Sequence, residues 1–501
     1  MYIGIDTGHT NVKAVAFESD WTVAGEYGVE DAMEHPTENR SEIPIEGRWQ
    51  VVLECLDELE GQIDDAGDID AIGLAGAGGG LYPLDANGRP VTNGVVALDE
   101  RTRGGLFDEW KEDGTREAIS EITGIPLPPG GALVVLRWLK ENEPATYEEI
   151  AHVLNHKDVV RYRLTGELAN EISDATFSLT NHRTQEYDRE LVELAGVEDA
   201  WDALPELLPN SHDVAGHTTA EVERKTGIPE GTPVVAGGHD ACANTIGVGA
   251  LEEGKVTTAG GTWSLSTMAL DEPAVDLDSW CCENFLESGT WMLEISMPTG
   301  TVSLDWFVED FCQPERDRAD AENGVIWDVI EEKIDGVETS AIFHPFLFGN
   351  PWDYMYRDTA SGSFTGLRPT DGRVEMLRAV YEAIAFVHRW QIDLFDDAFG
   401  VEEVRFTGGA ARSEFWAGMF ADVMDMPVVT TTVDESGCFG AAMLAAIGTG
   451  HLDGLDATPG LVDVEETYYP GDTDYDEKYE TFRELAARLE GVWDAHLALR
   501  T

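Results

Sequence analysis

Four short stretches combine residue types whose spacing could do chemistry. In "GIDTGHTNVKAVAF" (4–17), Asp6 ends an apolar run, and Thr7, Gly8, His9, Thr10 and Asn11 follow before apolar residues resume. Such a turn can aim backbone N–H groups and hydroxyls at one point, as phosphate binding requires, and Gly8 permits close approach. Asp6 at its mouth suits Mg²⁺, which prefers carboxylate and phosphate oxygens together. An ordinary hairpin with an Asx turn is the alternative. "GKVTTAGGTWSLSTMA" (254–269) repeats the device with Gly260, Gly261 and Thr262. In "PVVAGGHDACANTIGVGA" (233–250), Asp240 stands where a helix should begin. It is either a helix-start carboxylate or a base taking the proton of a hydroxyl that attacks a γ-phosphate. In the fourth stretch, residues 401–443, Gly408 and Gly409 would let a flat ring lie against the backbone, and the small residues from Gly437 to Ala446 would leave it room. An adenine pocket and close helix-to-sheet packing both stay open there.

The elements that must position these residues can be read from periodicity. Ile3 and Ile5 alternate with Gly4 and Asp6, and Val12, Ala14 and Ala16 with Lys13, Val15 and Phe17, which predicts strand, tight turn, strand. Val256 and Thr258, then Trp263, Leu265 and Thr267, predict a second hairpin. One hairpin opening each half of the chain predicts two related domains facing each other across a cleft. Residues 233–236 predict a short buried strand, with a helix following from Asp240. Ser413 is a candidate N-cap for a helix with Phe415, Trp416, Met419, Phe420 and Val423 on one face. Residues 436–452 read as a buried helix, shorter than the ~18 residues a membrane span needs.

Composition bounds the answer. A chain of 501 residues, 43% hydrophobic, predicts two large domains. The 97 acidic and 32 basic residues, only eight of them lysine, give a net charge of −65 that is spread along the whole chain. With 14 Trp and 18 Phe, this is a folded protein rather than a disordered acidic one. It reads as a protein of a halophile with a salt-rich cytoplasm, because at ~1 M salt the Debye length falls to about 3 Å and surface self-repulsion is screened. Nucleic-acid binding is excluded for want of a basic face. Six cysteines without disulfide or zinc spacing fit a reducing cytoplasm. Asp6 interrupts the first apolar stretch, so neither a signal peptide nor an anchor is expected.

Taken together, "IDTGHTNVKA", "GGHDACANTIGVGA", "TAGGTW", "FTGGAARSEFWAGMFADVMDMPV" and "ESGCFGAAMLA" resemble the motifs of the FGGY carbohydrate kinases, within the actin-like ATPase superfamily. Weaker matches at 84–102, 155–175 and 360–367 fall in the family's order. The resemblance implies an α/β fold of two ribonuclease-H-like (actin-like ATPase) domains with a catalytic cleft between them. Residues 1–246 would bind sugar and 247–501 ATP. It implies transfer of the γ-phosphoryl group of ATP, with Mg²⁺, to a primary hydroxyl. By that resemblance Asp240 is the base and Asp6 the Mg²⁺-linked aspartate. Thr7, Gly8, Thr10 and Asn11 form the first phosphate loop, and Gly260, Gly261 and Thr262 the second. Gly408, Gly409 and Ala410 form the adenosine loop, and Asp99 binds substrate hydroxyls.

Gly79 is a substrate-side position within "GAGGG" (76–80), which matches a sugar-contacting segment of xylulose kinases but lacks its Met and His. The stretches 78–88, 298–307 and 343–350 look more like the branch containing L-xylulose and erythritol kinases. A ketopentose is therefore the expected acceptor, with erythritol or glycerol as the alternative and Trp306 and Asn350 as candidate pocket residues. An actin-like nucleotide-gated binding protein is the alternative from another class. Expected partners are a small sugar or polyol, no nucleic acid, no membrane and, as an option, a second copy in a homodimer; the expected location is cytoplasmic.

Overall fold

Alternation at the N-terminus folds as a hairpin. In the computed structural model, which describes residues 1–349, 355 and 359–497, β1 (Tyr2–Thr7) and β2 (Asn11–Phe17) pair antiparallel, with Asp6 opposite Lys13. Asn350 lies outside the described residues. β3 (Val23–Glu30) continues the sheet beyond β2, and β4 (Ala71–Gly76) runs parallel to β1. β5 (Val214–His217) and β6 (Pro233–Val235) complete the order β5-β6-β4-β1-β2-β3.

Side chains alternate across this sheet, and its two faces are covered differently. Ile3, Ile5, Ile72 and Leu74 pack with Trp49, Val52, Leu53 and Leu56 of the helix Ile45–Glu60. On the other face lies the helix Ser436–Gly448, buried from Ser436 through Ile447. It approaches so closely that a Cβ on Gly4 would fall 1.8 Å from the Cys438 carbonyl oxygen, and one on Gly73 1.8 Å from that of Ala441.

The second sheet contains the second hairpin. β7 (Lys255–Gly260) and β8 (Ser264–Leu270) pair antiparallel with Gly260 opposite Ser264. β9 (Glu403–Thr407) lies parallel to β7 and β10 (Val428–Thr431) parallel to β9, while β11 (Val464–Tyr468) is antiparallel to β10. Ser413 caps the helix Glu414–Met424, its hydroxyl accepting from the Trp416 N–H at 3.0 Å; Trp416, Met419, Phe420 and Val423 are buried, and Phe415 partly so.

The chain forms two compact units. The first comprises Met1–Leu251, Ala269–Leu293 and Glu435–Val462; the second comprises Glu252–Met268, Glu294–Asp434 and the chain from Asp463 onward. The first change of unit falls after Leu251, and two later segments return to the first unit. Among the described residues, no helix is long and apolar enough to cross a membrane.

Candidate active site

In the first unit Asp6, Gly8, Thr10 and Asn11 line one depression of about 530 Å³, together with Lys13 and Glu435. The turn is held from below by Arg48, which donates from Nη1 to the Gly8 carbonyl at 2.5 Å, from Nε to Asp31 Oδ2 at 2.5 Å and from Nη2 to the Asp31 carbonyl at 2.8 Å. A guanidinium fork suits this because its donors are pre-aligned. Arg48 is buried on the apolar face of its helix, three residues after Ile45 and four before Val52, and that periodicity was the available signal. Thr7 departs from its expected role: it is fully buried and its hydroxyl donates to the Ala75 carbonyl at 3.1 Å, so it joins β1 to β4 instead of offering a hydroxyl to a phosphate. Burial lowers His9 to a pKa of about 4, which leaves the loop without a charged imidazole at neutral pH.

Asp6 is under opposite pressure. Burial first, then the Asp240 and Glu435 carboxylates, push its pKa up to about 7 against His239 and Arg48. Its Oδ1 has no hydrogen-bond partner among the described residues. A bare oxygen among like charges is the donor chemistry a hard divalent cation satisfies, so the residues fit Mg²⁺. The helix Ser436–Gly448 leaves room for this carboxylate: a Cβ on Gly437 would sit 2.4 Å from Asp6 Oδ2. One on Gly440 would sit 2.0 Å from the Ala243 carbonyl oxygen. Of the two readings of this small-residue helix, close backbone packing is the one its glycines serve.

Asp240 is the first residue of the helix Asp240–Gly247, which starts after an extended His239. Its side chain is 31% exposed, and its Oδ1 lies 3.1 Å from His239 Nε2. Burial opposes its ionisation, but the neighbouring imidazolium outweighs that and holds Asp240 below the usual carboxylate range. The other nitrogen, Nδ1, faces Glu283 Oε2 at 3.3 Å, and Glu283 is fully buried. Burial disfavours a charged ring, yet Asp240 and Glu283 raise the His239 pKa well above its ordinary value. Glu283 comes from the strand Cys281–Asn284 and bears no local sequence signal.

The substrate-side expectations lie elsewhere in the unit. Asp99 is fully buried and committed: it accepts from the Ser41 N–H at 2.8 Å, the Arg101 N–H at 3.0 Å, Arg101 Nε at 2.7 Å and Arg101 Nη2 at 3.0 Å. Its oxygens are thus occupied by the Ser41 N–H and by Arg101. Gly79, at φ 75°, is buried, and its N–H donates to Asp174 Oδ1 at 3.3 Å. Phe177 and His239 fill the space a side chain at the adjacent Gly78 would need, their atoms lying 2.4 and 2.6 Å from the added Cβ.

In the second unit, the two glycine loops come together. Gly408, at φ 85°, abuts the Gly260 backbone, and a Cβ there would approach the Gly260 carbonyl oxygen to 3.1 Å. Gly261 and Thr262 accept, through their carbonyls, from the N–H groups of Thr301 (2.8 Å) and Val302 (3.4 Å), at the start of the helix Thr301–Phe311. Thr262, Gly408 and Gly409 are exposed, and Ala410 is buried beneath. Trp306 is partly buried in an aromatic cluster with Phe307, Phe311 and Phe343.

Residues 1–247 match the FGGY family of carbohydrate kinases, N-terminal domain, and residues 256–449 match its C-terminal domain. The L-xylulose/3-keto-L-gulonate kinase of Escherichia coli K12 is 29% identical, over 98% of this chain and 97% of its own. The xylulose kinase of Bacillus subtilis is 30% identical, over 91% of this chain and 89% of its own. A solved xylulose kinase from Rhodospirillum rubrum superposes with a TM-score of 0.86 at 26% identity, covering 98% of this chain and 99% of that one. A gluconate kinase from Lactobacillus acidophilus gives 0.89 at 22% identity, with 99% of each covered, and shares the fold. With both family domains matched along most of its length, the chain belongs to the FGGY family of carbohydrate kinases, enzymes that transfer phosphate to sugars.

Proposed function

We propose that this protein phosphorylates a primary hydroxyl of a ketopentose of the xylulose type, with Asp240 as the base. The observation that carries this reading is an Asp240 carboxylate that is partly exposed, held ionised by His239 and electrostatically linked to Asp6 in the phosphate-loop hairpin. Asp240 takes the proton as the hydroxyl oxygen bonds to the γ-phosphorus and the bond to the ADP oxygen breaks in line; the proton then passes to solvent. Gly8, Thr10 and Asn11 would contact phosphate in the first unit, and Gly260, Gly261, Thr262, Gly408, Gly409 and Ala410 would hold ATP in the second. Asp6 would hold Mg²⁺, which when bound neutralises phosphate charge. Relatives named for L-xylulose and xylulose, similar over nearly the whole chain, support a pentulose acceptor.

The test is ADP release from Mg-ATP in about 2–3 M KCl, where surface charge is screened, across D-xylulose, L-xylulose, ribulose, gluconate, erythritol and glycerol. Turnover on a pentulose should fall about 10²- to 10⁴-fold in Asp240→Asn. Response to gluconate or a polyol alone would replace the acceptor. Acceptor-independent turnover, unchanged in the variant, would favour a nucleotide-gated binding protein.

A further inference from the structure

The His239 ring is clamped between two carboxylates, and only one of them, Asp240, is used in the chemistry proposed above. We propose that Glu283 is a positioning residue for the base: its buried carboxylate pairs with the Nδ1 side of His239 and keeps the ring charged, so that the Nε2 side holds the Asp240 carboxylate in orientation. This rests on the reading of Asp240 as base, and it is carried by geometry within one unit.

Glu283 has no exposure to water, in a strand otherwise made of Cys281, Cys282 and Asn284. A carboxylate so placed costs several kcal/mol unless an opposite charge meets it, and His239 lies 3.3 Å away. The ring is held from several sides. Its backbone N–H donates to Ser173 Oγ at 2.9 Å, and Phe177 stands edge-on at 5.0 Å. With the ring fixed in place, each of its nitrogens lies within 3.3 Å of a carboxylate oxygen, and Nδ1 and both Glu283 oxygens are buried with no other hydrogen-bond partner among the described residues, so a doubly protonated imidazole is the form that offsets both charges.

The titratable groups around it are Asp240 and the Cys242 thiol on the helix that follows it, Glu283 on the strand, Asp6 and the neutral His9 on the hairpin, and Asp174, itself paired with the buried Lys157, on the short helix Ile172–Ala175. Most are acidic. A single imidazolium among them offsets negative charge where an anionic phosphate must be received. Removing Glu283 therefore removes support for the ring's charge, and through it the alignment of Asp240.

The experiment follows the His239 ring by nitrogen NMR in ¹⁵N-histidine-labelled, full-length protein, with the signal assigned by its loss in His239→Gln. The wild-type ring should be doubly protonated at pH 7. In Asp240→Asn it should stay so, held by Glu283. In Glu283→Gln it should titrate lower by about one unit or more, with Glu283→Asp partly restoring it. In steady-state kinetics, the alkaline limb of kcat in Glu283→Gln should move toward acid by the same interval, with KM values little changed. A ring that titrates as in wild type in Glu283→Gln would overturn the proposal, as would one that turns neutral at pH 7 in Asp240→Asn. So would stoichiometric zinc bound to His239, Cys242 and Glu283, whose donor atoms lie within 4.8 Å of one another. The NMR result stands whether or not the protein turns over a pentulose, so failure of the clamp and failure of the kinase chemistry are read separately.

Discussion

Gly437 and Asp6 share one small space: a methyl group on the first would press to 2.4 Å against Oδ2 of the second. A carboxylate can rotate away from such a methyl, whereas a main-chain carbonyl cannot. Gly437→Ala should therefore fold with little loss of stability yet lose at least tenfold in activity, because Asp6 is displaced. Gly440→Ala, whose methyl meets the Ala243 carbonyl oxygen at 2.0 Å, should destabilise by about 1–3 kcal/mol or more. Chemical melts of both variants, beside their turnover, check the contrast.

Asp6 in its ionised form lowers the stability of the fold. Its folded pKa of about 7 lies above the ordinary carboxylate value of 3.8, so the folded state is favoured by the proton and loses stability as pH rises from about 4 to about 7. In EDTA at pH 8, Asp6→Asn should be more stable than wild type by about 1–3 kcal/mol while inactive. Adding Mg²⁺ should raise the wild-type melting temperature and leave the variant's unchanged. A variant less stable than wild type at pH 8 would contradict the account.

Arg48 supports the turn at Gly8 from the core. Arg48→Met removes its bonds to Gly8 and Asp31 and strands the Asp31 carboxylate, which is 28% exposed. The expected cost is about 2–3 kcal/mol, with a raised KM for ATP. Urea melts and ATP titrations at fixed sugar measure both.

The net charge of −65 makes folding sensitive to ionic strength. The melting temperature should climb steadily from 0.2 M to 2 M KCl, where the Debye length shrinks from about 7 Å to about 2 Å. Differential scanning calorimetry across that range checks it, and a flat response would remove the reason to assay at high salt.

Local patterns were the legible part. Alternation placed both hairpins, Ser413 three residues before Trp416 announced its cap, and the small residues after Ser436 announced a buried helix. What escaped depends on residues distant in sequence. Asp99 read as a ligand for sugar; Arg101, two residues on, was in view, but the Ser41 N–H that also binds its Oδ2 comes from 58 residues away. Thr7 belongs to a hydroxyl-rich turn, but strand parity turns its side chain toward Ala75. Glu283 meets His239 across more than forty residues, and no periodicity in "CCEN" marks it. Arg48 could have been seen, since a charged residue on an apolar helical face needs a partner.

The helix Ser436–Gly448 closes a face of the first sheet whose own strands are among the earliest to be made. A nascent chain leaving the ribosome therefore carries the Gly4 and Gly73 surface uncovered until most of the second unit has been synthesised. The first unit cannot complete its core in order of translation. Its folding waits on a late segment, and a chain truncated before Glu435 exposes bare sheet to chaperones and to aggregation.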